Sequence, residues 1–160
     1  MRSASFDSLR VTWKGYRRTE QVAAFVRRVL ADLAPAALIL YGSLAKEDHH
    51  EDSDADFCVV LPQPEAHFFR DGVTVRCCDE SGVVEPVVFG TEQFLAMIRQ
   101  GTTLALEVMH WGVALGGEPA YLDRLASAWE QAQCELGLEK TATGWRVHGI
   151  PGASSPVPRS

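Results

Sequence analysis

Two short apolar runs and the turn between them constrain this chain more than anything else in it. AALILY, residues 36–41, ends at Gly42-Ser43. ADFCVVL, residues 55–61, is entered through Asp54 and stopped by Pro62, with ten residues between Ser43 and Asp54. Both runs read as buried strands. Side chains alternate along a strand, so Asp54 and Asp56 point to one side while Ala55 and Phe57 point to the other. Two residues span roughly 6.6 Å at about 3.3 Å each. Carboxylates leaning together across that gap can share a divalent ion, because Mg–O bonds are about 2.0–2.1 Å long. Without a cation the pair repels, and one carboxyl holds its proton more tightly. An acid pair on a strand otherwise made of Phe57, Cys58, Val59 and Val60 therefore asks for a metal.

Gly42-Ser43 supplies a complementary half. A strand ending in glycine lets the backbone approach a ligand closely. If the segment after Ser43 turns helical, free N–H groups and the Ser43 hydroxyl face an incoming phosphate. Lys46, one turn on, adds a positive charge. Phosphate donors beside a Mg2+-binding acid pair outline a nucleoside triphosphate site. The intervening EDHHEDS loop carries His49 and His50, which read as part of a solvated polar loop rather than a transition-metal site.

Around this centre the pattern alternates. Val22, Phe25, Val26, Val29, Leu30 and Leu33 recur at helical spacing, with Thr19 to cap the start and Pro35 to stop the run. VTVRCC, residues 73–78, is a candidate strand. VVEPVVF, residues 83–89, is a firmer one, in which Pro86 removes a ladder donor and points to an edge or a bulge. Helices are expected over residues 91–100 and 103–110, then a short apolar stretch at 113–115. A further helix spans 119–136, with Pro119 in its first turn and Gly137 as its stop. From residue 138 the period is lost, and the Gly/Pro/Ser-rich end reads as a flexible tail. The expected organisation is an N-terminal extension (1–17), a main domain (18–117), a C-terminal helix (118–137) and the tail (138–160). The fold class is α/β (α+β), a small mixed sheet flanked by helices.

Composition removes several classes of function. With 46% hydrophobic residues, 22% charged residues and a net charge of −6, the chain can bury a core but lacks the basic balance of a protein that grips nucleic acid. It contains no apolar run long enough to span a membrane and no apolar N-terminal core of a signal peptide, so a cytoplasmic location is expected. Cys58, Cys77, Cys78 and Cys134 form no CxxC pair and read as buried free thiols.

The motif itself resembles the nucleotidyltransferases of the DNA polymerase β type: a strand, Gly-Ser, a short helix, then Asp-x-Asp on the next strand, with a third acid on a later one. The Gly42-Ser43, ten-residue, Asp54-Ala55-Asp56 spacing looks like the minimal nucleotidyltransferase branch, many of whose members are antitoxins encoded beside HEPN-type ribonuclease toxins. The likeness covers about residues 20–117. The resemblance implies that Asp54 and Asp56 hold catalytic Mg2+, with two ions expected, and that Gly42 and Ser43 contact the β/γ phosphates. Glu85 would be the third carboxylate, with Asp79 and Glu80 just upstream as rivals, and Lys46 would assist the triphosphate where many relatives carry arginine. It also implies ATP as donor, AMP transferred to a hydroxyl, and a HEPN toxin as acceptor and partner. The rival from another class is a non-catalytic module of the same fold that neutralises a partner by contact. Where relatives often have a long helix between residues 62 and 83, this chain is broken by Pro and Gly, and the candidate strand at 73–78 would replace it.

Overall fold

The computed structural model describes residues 1–149 and centres on a five-stranded mixed sheet. Its strands are β1 (Arg2–Ser3), β2 (Ala37–Tyr41), β3 (Ala55–Leu61), β4 (Val84–Gly90) and β5 (Val113–Gly117), in the spatial order β1-β5-β2-β3-β4. β2 runs antiparallel to both β3 and β5, whereas β3 and β4 are parallel and in continuous register from Ala55↔Val84 to Leu61↔Gly90. β4 is an outer strand, which is where a strand containing Pro86 is tolerated.

Helices cover both faces, and this explains why β2 and β3 read as unbroken apolar runs rather than alternating ones. On one face Leu38, Leu40, Phe57 and Val59 pack against Val22, Phe25 and Val26 of α2 (Thr19–Arg28), α1 (Phe6–Arg10) being the helix before it in the chain. On the other, Ile39, Cys58 and Val60 meet α5 (Thr91–Arg99), α6 (Thr103–Trp111) and α7 (Pro119–Leu136) through Phe94, Ile98, Val108, Met109 and Leu125. These side chains are buried, and each Val, Leu, Ile, Phe and Met among them contributes about 1.5–3 kcal/mol by leaving water. α2 continues as a π-helical stretch, Val29–Leu33, and ends at left-handed Ala34 just before Pro35. α3 (Gly42–Lys46) and α4 (Phe68–Arg76) complete the main body.

Residues 73–78 are not a strand. Most of that segment lies in α4, capped by the His67 ring, which accepts the Arg70 N–H. Asp71 and Val75, four apart, are its buried positions, as on one face of a helix, with Cys78 buried in the turn just beyond it, while Val73 stays 59% exposed. The first turn is tied down by the Asp71 carboxylate, which accepts from the His67 N–H, the Gln63 amide and the Arg70 guanidinium. Those bonds outweigh the β-branched residues and Gly72, an interior glycine being worth about 1 kcal/mol against a helix.

Both ends are more structured than the sequence suggests. Residues 1–17 are part of the body: β1 pairs with β5, and Leu9, Trp13 and Tyr16 are buried in the core. Residues 138–147, expected to be tail, form a hairpin of β6 (Leu138–Thr141) and β7 (Gly144–Val147). The remainder of the expected tail, 150–160, lies outside the described residues. Of the four free cysteines, Cys58 and Cys78 are buried as expected, but Cys77 and Cys134 are exposed. Among the described residues no helix is long and apolar enough to cross a membrane.

Candidate active site

Sheet register brings the acids together. Asp56 is paired with Tyr41 on β2 and with Glu85 on β4, so its carboxylate and that of Glu85 stand side by side on neighbouring parallel strands. Along this face of β3, burial falls from Val60 and Cys58, both fully buried, through part-buried Asp56 to exposed Asp54 just before the strand. The acids thus occupy the open end of a face whose other end is core.

Gly42 closes the site from the side of β2. Its φ is +70°, in the left-handed region, and a Cβ placed on it would overlap the Asp56 carboxylate, lying 2.9 Å from Cγ and 3.1 Å from Cβ of that residue. The start of α3, with Ser43 beside it, is therefore packed directly on the central acid. That close approach is possible only for a residue without a side chain.

Charge at the site is unbalanced. Burial pushes the Asp56 carboxyl above its usual range, the negative charges of Asp54 and then Glu85 push it further, and only Lys46 opposes them. Burial first, and then the Asp56 charge, also raise the neighbouring Tyr41 hydroxyl well above its ordinary value. Asp54 and Glu85 have cationic partners: Arg18 Nη1 lies 3.0 Å from Asp54, and Arg76 Nη2 lies 3.5 Å from Glu85. Asp56 has no ion pair among the described residues. As they stand, no three His, Cys, Asp or Glu side chains among the described residues are drawn together tightly enough to hold a metal ion. The donor set nonetheless suits a hard divalent cation. It consists only of carboxylate oxygens, and the central acid is one whose ionised form a nearby cation would relieve.

Lys46 is placed differently from the sequence expectation. Its ammonium is 3.1 Å from Glu107 of α6 and lies over the Trp111 ring, so it reaches Asp56 only as a charge at a distance. Glu107 also accepts from Lys140 at 2.7 Å and from the Trp145 indole at 2.9 Å, joining α3, α6 and the terminal hairpin. Burial alone would raise this carboxyl, but hydrogen bonds from Lys140, Lys46 and Trp145 bring it down to about 2. Its stabilising contribution is present above the ordinary value of 4.5 and is lost as pH falls toward about 2. Glu107→Gln is accordingly expected to lower the melting temperature by roughly 2–6 °C near neutral pH. Thermal melts of variant and wild type should draw together as pH falls through that window.

The upstream rivals of Glu85 have other tasks. Asp79 accepts from the Ser81 and Val84 N–H groups at 2.9 Å each, shaping the turn into β4, and Glu80 pairs with Arg28 at 2.7 Å. Of the loop histidines, His50 is exposed as expected, whereas His49 is part-buried, its ring edge-on to Tyr16 with centroids 5.6 Å apart. Sequence reasoning missed Arg18, Arg76 and Glu107. No local pattern marks Arg18 or Glu107, but reading residues 68–76 as a helix with Asp71 and Val75 inward would have placed Arg76 beside β4.

A family model described as a nucleotidyltransferase domain matches residues 22–102, just over half of the 160-residue chain. That window contains Gly42, Ser43, Asp54, Asp56 and Glu85. No curated protein matches the sequence. One solved structure similar to this chain is described as "Crystal structure of the toxin-antitoxin with AMP-PNP", with 18% identity, a TM-score of 0.42, and coverage of 71% of this chain and 90% of that one.

Proposed function

Because this chain belongs to the nucleotidyltransferase domain family, we propose that it transfers a nucleoside monophosphate, AMP from ATP, to a hydroxyl on a partner protein, a HEPN-type toxin being the partner class its motif suggests. The observation that carries this reading is the register that sets Asp56 beside Glu85, with the Gly42 backbone packed on the same carboxylate. Asp54, Asp56 and Glu85 are the residues that would hold Mg2+, and the ion would supply charge against the triphosphate and ease deprotonation of the acceptor. Gly42 and Ser43 take the triphosphate along the start of α3, next to the acids. Glu85, exposed at the outer strand, orients the acceptor hydroxyl and takes its proton. The acceptor oxygen forms a bond to the α-phosphorus, the bond from α-phosphorus to the bridging oxygen breaks, and pyrophosphate leaves. Catalysis rests on positioning and on charge placed where it develops. ATP as donor agrees with a cytoplasmic location.

A second reading, action by contact alone, is favoured by one observation. Phe68, Phe69 and Val73 of α4 are 81%, 73% and 59% exposed beside the outer edge of β4, an apolar surface suited to a protein partner. Incubation with Mg2+ and radiolabelled ATP, with and without the product of the adjacent gene, separates the two. Label should appear on the partner and disappear with Asp56→Asn. Tight partner binding with no label would leave the contact reading standing alone.

A further inference from the structure

The segment carrying Arg18 lies outside the matched window of 22–102, yet it is stitched to the loop that leads into the acid pair. The Tyr16 hydroxyl donates to the Ser53 carbonyl at 2.9 Å, and the Arg17 N–H donates to the Glu51 carbonyl at 3.2 Å. The Arg17 guanidinium pairs with Glu51 at 2.9 Å. Arg18 spans the next two acids, with Nε 3.8 Å from Asp52 and Nη1 3.0 Å from Asp54. Its side chain is only 30% exposed and starts from the residue before α2, with buried Tyr16 two positions earlier. It is a held group, not a free surface arm. The stretch 47–56 carries Glu47, Asp48, Glu51, Asp52, Asp54 and Asp56 with no lysine or arginine, so compensating charge has to come from another element.

We propose that Arg18 is a charge gate on Asp54, occupying that carboxylate until a nucleoside triphosphate draws the guanidinium away, so that divalent cation and nucleotide load together. The inference rests on the nucleotidyltransferase reading above and deepens it. A guanidinium and an incoming divalent ion compete for the same carboxylate, and each repels the other. A triphosphate offers the guanidinium several charged oxygens suited to its planar fork. Nucleotide therefore helps the cation bind by removing its competitor, and by linkage the cation helps the nucleotide by the same factor. Arg18 acts here on the cation through Asp54 and on the nucleotide by direct contact with its phosphates.

The test uses the full chain and Mn2+ as probe, with free ion followed by its paramagnetic resonance signal, with and without a non-hydrolysable ATP analogue, the Mn2+ taken up by the analogue alone being measured without protein and subtracted. Wild type should bind Mn2+ more tightly when the analogue is present. Arg18→Gln should bind Mn2+ alone about fivefold tighter, bind the analogue less tightly, and show about fivefold less coupling between them than wild type, the coupling that remains being the direct contact of Mn2+ with the triphosphate. Arg18→Lys, which keeps the charge, should hold Mn2+ affinity in the absence of nucleotide within about twofold of wild type. A purely structural role would weaken both ligands together and would not raise metal affinity. Unchanged or weaker Mn2+ binding by Arg18→Gln, in protein that melts like wild type, overturns the gate while leaving the nucleotidyltransferase reading intact. Failure of wild type to take up either Mn2+ or analogue overturns that reading, and the gate with it.

Discussion

Asp56→Asn is expected to lower nucleotidyl transfer by about a thousandfold or more and, in the same protein without cations, to raise the melting temperature by roughly a few degrees. The opposed signs have one cause. Asp56 is part-buried between two other carboxylates, and burial followed by the charges of Asp54 and Glu85 raises its carboxyl. A raised acid binds its proton more tightly folded than unfolded, so stability falls as pH climbs from the unfolded value through the raised one. Near neutrality Asp56 is thus a charge the fold tolerates without benefit to stability, and the isosteric amide relieves it. The same charge is what a divalent cation needs, as is common where function is retained against stability. Melting curves from pH 4 to 8, with and without Mg2+, check the claim. Mg2+ should stabilise wild type and not the variant, and the cation-free variant should lack the fall in stability with rising pH. A cation-free variant that melts below wild type, with Mg2+ stabilising both alike, would show that the acid is held by something other than the frustration described.

The same site shows which kinds of information a sequence carries. β2, β3 and the Gly42-Ser43 and Asp54-Ala55-Asp56 pairs were legible because they are local: a buried strand needs no partner to be recognised when helices cover both of its faces. Glu85 was legible as a strand acid, but its place opposite Asp56 depends on a parallel pairing across the intervening α4, which no local pattern encodes. α4 itself was misread because one of its two inward positions, Asp71, is not a residue an apolar period counts, and the visible Val73-Thr74-Val75 favours a strand. Trp13 and Tyr16 sit in the core edge-on to each other, but along the chain they belong to no apolar period, so residues 1–17 looked detachable. The terminal hairpin is fastened by Lys140 and Trp145 to Glu107, a contact between groups more than thirty residues apart that periodicity does not see. The partner of Lys46 was hidden for the same reason. One turn beyond Ser43 is the right distance along the chain, but Glu107 on α6 holds the ammonium first.

Gly42→Ala is expected to damage both stability and transfer, and a second substitution separates its two causes. The first is backbone: at φ +70° a side chain is strained wherever it points, worth about 1–3 kcal/mol. The second is contact, because the new methyl would overlap the Asp56 carboxylate and press on its Cγ and Cβ. Asp56 is a short side chain on a central strand paired on both sides, so it cannot swing aside as the tip of a lysine would. Either α3 moves off the sheet or the carboxylate turns from its position beside Glu85. A shift of about 1 Å at such a site lowers turnover about a hundredfold, and the combined strain should lower the melting temperature by roughly 3–10 °C. In an Asp56→Ala background the overlapping carboxylate is gone, while the φ penalty and the 3.1 Å approach to the Cβ of residue 56 remain. Gly42→Ala should therefore lose appreciably less stability there than in wild type, and the difference measures the contact in a double-mutant cycle. Equal losses in both backgrounds would mean that the glycine serves only the turn, and that α3 is not seated on the central acid in the way that lets phosphate and carboxylates meet.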